Sequence, residues 1–426
     1  MRDDSKPAPP TTADAAAVRR PRRAALGFVF VSVLLATLAS SVIGPVLPQL
    51  LKQLTGGKMS AMSTAMGAMA MLFAAMQFFA GPVQGALSDR FGRRPVILIA
   101  NFGLAIDYVI MATAPNLAWL FVGRAVTGAT AGSITAAYAY LADITEPDER
   151  AARFGLLTAG ISAGAAAGPL VGGLLGEIGP RVPFWASAAL SVVAGIYGVF
   201  VLPESLPKES RAPLKWQAVH PVAVIRNMLR DYPVLGRWFS SSFLMTFGIS
   251  GVNSLFLLYV LFRFGWTPKA IGLYSAVVVV VGIVVQSGLV SHIIRLVGER
   301  GALVGGLAIQ GVAIALCGLV PNGWMFTAVV ALMQVGGVSA PAQMAIMNRI
   351  IGPMDRGRLS GATRSLASLT GVLAPAPFAA LFAIVSRGGP ASPWAGAPFY
   401  LCGAFMMAGL LALLPALRQR QEVLDA

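Results

Sequence analysis

Twelve apolar stretches, each long enough to cross a bilayer, recur along this 426-residue chain, separated by short charged or Pro/Gly-rich breaks. A spanning helix needs about 20 largely apolar residues. In hydrocarbon every backbone N–H and C=O must find its partner within the segment, so stretches of this kind become helices. The chain is therefore expected to be an all-α polytopic membrane protein, with spans near 25–51, 60–87, 96–114, 117–141, 154–178, 183–203, 238–262, 270–294, 301–319, 323–347, 361–386 and 397–417. Charged residues make up only 12%, against roughly 25% in a soluble domain, so water is not the main solvent. The first stretch runs from Ala25 to Leu51 without a charge, longer than the roughly 7–15 apolar residues of a removable signal. Arg19, Arg20, Arg22 and Arg23 before it have the look of a twin-arginine address, or simply anchor the tail on the cytoplasmic side.

The net charge of +15 would point to nucleic acid in a soluble protein. Its distribution says otherwise. With an even number of spans both tails share one side, and 24 of the 32 Lys and Arg fall on that side. The opposite loops carry Lys52, Lys58, Arg181, Arg263, Lys269 and Arg387, while Arg124 and Arg364 lie inside spans. By the positive-inside rule both tails are expected in the cytoplasm, the protein in the inner (plasma) membrane, and the basic loops at anionic headgroups. Cys317 and Cys402 fall inside spans, and His220 and His292 lie far apart, so no disulfide framework, metal site or cofactor is expected.

One longer polar segment, 204–237, divides the spans into six and six. The expected organisation is a tail (1–24), a six-helix bundle (25–203), a central loop (204–237), a second six-helix bundle (238–417) and a C-terminal tail (418–426). Two bundles joined in this way are the layout of transporters built from repeated halves. DRFGRRPVIL (89–98) and RLVGERGALV (295–304) occupy corresponding places, with Gly92 opposite Gly298 and Arg94 opposite Arg300.

The segment GALSDRFGRRP (85–95) closes the second span and opens the third. Gly85 would let the neighbouring bundle approach, Asp89 can pair with an arginine or a helix N-terminus, and Arg90, Arg93 and Arg94 would hold the turn at headgroups. An ordinary positive-inside loop accounts for the arginines but not for the spacing of Gly85, Asp89 and Gly92. That spacing resembles the signature loop GxLxDRxGRR of the major facilitator superfamily. The stretch RAVTGATAGSITAAYAYLADITEPDERAARFGLLTAG (124–160) and the following AGAAAGPLVGGLLG (163–176) are similar to the tetracycline/proton antiporters of that superfamily. The resemblance implies a twelve-helix exporter that exchanges a drug for a proton, and its GPxxGG element, here Gly168, Pro169, Gly172 and Gly173, implies export rather than uptake. Physically, Gly164, Gly168, Gly172 and Gly176 set side-chain-free positions along one stripe where another helix can pack, and Pro169 adds a bend.

Of the 17 acidic residues only Asp107 falls deep inside a span. It lies about 16 Å along a helix that crosses a core about 30 Å thick. A carboxylate there is costly when ionised and unpaired, which suits a group that gains and loses a proton. Arg124, on the next span, reaches a similar depth, so the two can pair, either as a static ion pair or as the proton-coupling site. The resemblance also marks departures: Ala36, Gly282 and Gln310 stand where the tetracycline exporters carry titratable groups, which puts tetracycline itself in question. Arg364 stands where they have a small residue, and either snorkels to the surface or meets an anion in the cavity.

A central cavity would draw its polar lining from Gln77, Asn253, Gln286 and Gln310, and a Met- and Phe-rich wall suits an amphiphilic ligand better than a sugar. The function expected is proton-coupled efflux of a small drug or metabolite, powered by the proton gradient, by a functional monomer. The alternatives are proton-coupled uptake of a nutrient on the same fold and a non-transporting membrane sensor. The longest loop is too short for a signalling domain, and no His, Asp and Glu cluster suits an enzyme.

Overall fold

The computed structural model describes residues 12–130, 133–207, 209, 211, 221–352 and 355–424. His220 and the side chains of the tail arginines lie outside the described residues. Eleven helical runs among them are long and apolar enough to cross a membrane. We label them α1 (Leu26–Leu54), α2 (Met59–Phe91), α3 (Arg93–Thr113), α4 (Leu117–Ile144), α5 (Arg150–Ile178), α6 (Val182–Val201) and α7 (Leu235–Phe264) in the first part of the chain. The run Pro268–Cys317 is 50 residues long, too long for one crossing. It breaks at Gly298, where φ is 71°, into α8 (268–297) and α9 (299–317). Then come α10 (Gly323–Ile350), α11 (Arg356–Gly388) and α12 (Pro393–Leu417), which brings the spans to the expected twelve.

The hinge at Gly298 has its counterpart at Gly92, the lone residue between α2 and α3, with φ 109°. Both backbones occupy the region that a Cβ disfavours. The weak echo between 89–98 and 295–304 is therefore a repeated structural device. It also corrects the expected geometry of the first turn. Helix α2 continues to Phe91, so Asp89 and Arg90 sit in its last turn, and the chain reverses at one glycine rather than over a loop of about eight residues.

Packing follows the same repeat. In the first bundle α1 lies against α5 and α6, and α3 against α4 and α6; in the second, α7 lies against α11 and α12, and α9 against α10 and α12. The halves meet through α5 with α8 and through α2 with α11, two contacts that the repeat interchanges. The bundles are cemented differently. The second holds a network of rings, with Tyr259 and Phe399 4.4 Å apart and Phe256 and Tyr274 5.2 Å apart. Such pairs are worth about 0.5–1.5 kcal/mol each beyond burial. In the first, α1 and α5 are joined by backbone contact at small residues, a device the second adds to its rings at Gly306 and Gly336. Would-be Cβ atoms on Gly164 and Gly168 fall 2.8 Å from the Leu34 carbonyl and 2.9 Å from the Leu38 carbonyl of α1. Gly172 stands against Val42, and Gly176 against Val46.

The segment expected as a polar central loop contains a helix, Pro221–Asp231. It docks on the start of α11, where Arg358 bonds Asp231 at 2.5 Å and Asp355 at 2.7 Å, and Tyr232 donates to Asp355 at 2.7 Å.

Candidate substrate cavity and proton-coupling pair

The two half-to-half contacts are both tight at the end away from the tails. There the Ser63 hydroxyl of α2 donates to the Ala379 carbonyl of α11 at 2.7 Å. A Cβ on Gly67 would clash with Ala379, and one on Gly173 would lie 3.2 Å from Gly272 of α8. At the tail end α2 and α11 part, leaving a cavity of about 690 Å³ bounded also by α4. These tight contacts thus lie at one end of the bundle interface, and the cavity at the other.

The tail-end cavity has an apolar wall that includes Phe78, Pro82 and Ala136, and polar groups from Gln77, Thr135, Ser368 and Arg364. Gly85 lines it and has nothing within 4 Å of where a Cβ would stand. The close approach expected at Gly85 is therefore absent, because the cavity lies between it and the neighbouring bundle. Arg364 is exposed and lines this cavity.

The four polar residues expected on a single cavity are divided. Gln77 lines the tail-end cavity. Asn253 and Gln310 line a second cavity, of about 390 Å³, inside the C-terminal bundle, with Gln334, Phe256 and Phe326. Gln286 lines neither; it is exposed on a π-helical turn, Val285–Leu289. Gln334 was not anticipated. Its amide occupies the space beside Gly282, 2.6 Å from a would-be Cβ, and reaches the Val278 carbonyl at 3.4 Å. A larger residue at Gly282 would displace it.

In the signature loop the arginines point inward more than expected. Arg93 contacts Asp89 at 2.5 Å and Asp143, at the end of α4, at 3.2 Å, and is only 14% exposed. Arg94 donates to the Val199 carbonyl of α6 at 2.7 Å. Arg90 is exposed and lies over Phe91, which leaves it as the one of the three suited to headgroups. Glu204, following α6, fills the space over Gly92 and accepts the Arg93 backbone N–H at 2.8 Å, so an anion caps the start of α3. Neither Asp143 nor Glu204 was singled out from the sequence. Their only signal was an acidic residue at the tail-side end of a neighbouring span. In the second half Glu299, one residue after Gly298, pairs with Arg349 of α10 at 2.6 Å. The repeat keeps the bridge and reverses its charges.

Asp107 and Arg124 do come together. Arg124 Nη2 lies 2.9 Å from Asp107 Oδ2 and also reaches the Met111 sulfur, while Thr127 donates to the same carboxylate oxygen. The Asp107 side chain is 0% exposed and that of Arg124 is 18% exposed. Asp107 Oδ1 and Arg124 Nε are buried without a hydrogen-bond partner. Removing ions from water costs several kcal/mol each, and here one carboxylate oxygen and the guanidinium Nε are left unsatisfied. The pair clamps α3 to α4, and Thr127 precedes Gly128 on the cavity wall. Among the described residues no group of three or more His, Cys, Asp or Glu is placed to hold a metal.

The family model of the Major Facilitator Superfamily matches residues 29–310. The chain belongs to the Major Facilitator Superfamily. This member is 35% identical over 392 residues to the class C tetracycline resistance protein of Escherichia coli, covering 91% of the chain and 96% of that protein. It is 32% identical to the class G tetracycline resistance protein of Vibrio anguillarum, over 84% of the chain and 91% of that protein. Among solved structures it is similar to a peptide transporter, with a TM-score of 0.73 at 18% identity, covering 92% of the chain and 94% of that structure. The last likeness speaks for the fold alone. The signature loop lines the tail-end cavity through Gly85, Asp89 and Arg93.

Proposed function

We propose that the protein exports a small amphiphilic compound across the inner membrane in exchange for protons, as a monomer with both termini in the cytoplasm. The excess of Lys and Arg at the tail end supports that orientation. The 690 Å³ cavity then opens to the cytoplasm, the side from which an exporter loads. The observation that carries the coupling is Asp107, fully buried and with one oxygen bare. Protonation of Asp107 removes the charge that holds Arg124 and loosens the grip of α3 on α4. Because α4 forms part of the cavity wall, the proton and the ligand act on the same helix. The relatives named for tetracycline resistance make tetracycline the first compound to assay.

The test uses everted vesicles with an internal pH dye and, in turn, tetracycline, a fluoroquinolone, a phenicol and a cationic dye. A transported compound should release protons from the acidified interior, and Asp107→Asn should abolish that release while the protein still reaches the membrane. Unchanged proton movement in Asp107→Asn would remove the assignment. Accumulation running opposite to the expected direction would replace export by uptake.

A further inference from the structure

Arg364 stands eight residues into α11, about 12 Å along the helix from Arg356. It is exposed on the wall of the tail-end cavity, and no acidic side chain among the described residues forms an ion pair with it. A guanidinium at membrane depth is expensive unless it faces water or an anion, so such a residue marks a functional site. The other two charged groups on the same wall, Asp89 and Arg93, pair with each other at 2.5 Å, and Arg93 also holds Asp143 behind the wall. Asp107 is fully buried elsewhere and offers the cavity no charge. Arg364 is thus the one charged side chain on this wall without an ion-pair partner among the described residues.

We propose that the ligand of this cavity is an organic anion, a flat amphiphile whose single acidic group is bound by Arg364. This rests on the reading of the cavity as the loading site. The guanidinium presents a fork of donors that matches a carboxylate, sulfonate or enolate in two parallel hydrogen bonds. Ser365 and Ser368, one and four residues further along α11, add hydroxyl donors on the same wall, and Thr135 adds one from α4. Phe78, Pro82 and Ala136 supply the apolar wall for the rest of the molecule.

The full-length protein in a neutral maltoside detergent is tested for saturable binding of radiolabelled 1-naphthoate and of its uncharged isostere 1-naphthamide. Charge-assisted contacts predict that naphthoate binds wild type about tenfold or more tighter than the amide. Arg364→Gln should lower naphthoate binding to the level of the amide, and Arg364→Lys should retain part of the difference. Equal binding of acid and amide to wild type overturns the proposal without recourse to any variant. So does an absence of saturable naphthoate binding, or an Arg364→Gln protein that binds acid and amide as wild type does. Equal loss of both ligands in Arg364→Gln would show that the arginine holds the cavity open, and overturns it too. A second arm repeats the measurement in nanodiscs of phosphatidylcholine with and without phosphatidylglycerol. If phosphatidylglycerol removes naphthoate binding as fully as Arg364→Gln does, the anion at this site is a lipid headgroup and the soluble-ligand proposal falls. The assay needs neither a gradient nor a direction of flux, so its failure leaves proton-coupled export standing, and failure of the vesicle assay leaves anion binding standing.

Discussion

A single methyl group at Gly172 should cost this protein more than one at any cavity-facing glycine. A Cβ there would lie 2.7 Å from the Val42 carbonyl carbon and 3.0 Å from its Cα, with the carbonyl oxygen closer still. Carbon atoms pack best at about 3.5–4.0 Å, so α5 and α1 would have to part by roughly 0.8 Å or more. All three atoms belong to the α1 backbone, and no rotamer change can relieve the contact. Overpacking of this kind costs about 1–3 kcal/mol, and the gap opened along the Gly164, Gly168 and Gly176 contacts forfeits further dispersion. The control is Gly85→Ala, which meets nothing within 4 Å and replaces a residue about 1 kcal/mol less favourable in a helix interior than alanine. Thermal unfolding of the purified variants in detergent, read by tryptophan fluorescence at one fixed scan rate, should show Gly172→Ala melting several degrees below wild type. Gly85→Ala should melt at or slightly above it. A Gly172→Ala protein as stable as wild type would refute the claim that α1 and α5 are in backbone contact.

Three further outcomes follow from the charges. Arg124→Gln strands the buried Asp107 and should destabilise the protein by about 3–5 kcal/mol if the carboxylate is ionised; adding Asp107→Asn should restore most of the loss, and additive losses in the double mutant would dismiss the pair. Arg93→Asp and Asp143→Arg should each weaken the tail-end join of α2, α3 and α4 in the same melting assay. The triple exchange with Asp89→Arg should recover more of it than the double one, which leaves Asp89 beside a second carboxylate, because the second half carries the reversed bridge between Glu299 and Arg349 with Arg295 in the place of Asp89. The docking of helix Pro221–Asp231 should loosen at low pH, although Met228 stays buried in the core. The Arg358 guanidinium holds the Asp231 carboxyl below the usual carboxylate range, and the hydrogen bonds from Tyr232 and Arg358 do the same for Asp355. Both folded pKa values lie below the unfolded value of about 3.9. Their stabilisation is therefore complete above that pH and disappears as pH falls through the depressed values. A spin label at Arg226 should stay immobile from neutral pH down to about pH 4 and gain mobility below it, and release at higher pH would contradict the assignment.

What the sequence disclosed and what it withheld divide along one geometrical line. Hydropathy and the rise per residue give depth, so the spans, the pairing of Asp107 with Arg124 and the correspondence of Gly92 with Gly298 could be read directly. Rotation about each helix axis is set by packing against neighbours, and an apolar span carries little amphipathic signal to reveal it. Gln77, Asn253, Gln286 and Gln310 all lie at suitable depths, yet they face two cavities and an exposed π-turn. Arg93 was expected at headgroups but turns inward, because Asp89 and Asp143 converge on it from two other helix ends. Arg364 shows the same limit from the opposite side. A guanidinium near a helix end can reach the surface from almost any azimuth, and only the parting of α2 from α11 gives it water to face. That parting is a property of the conformation. Closure at the tail end would bring α2 towards α11 across the cavity that Gly85, Asp89 and Arg364 line. A bound anion would then be enclosed with the arginine, and an empty cavity would close over an unpaired charge. The cost of closing without ligand falls on the same residue that is proposed to recognise it, which ties loading to movement without any further contact.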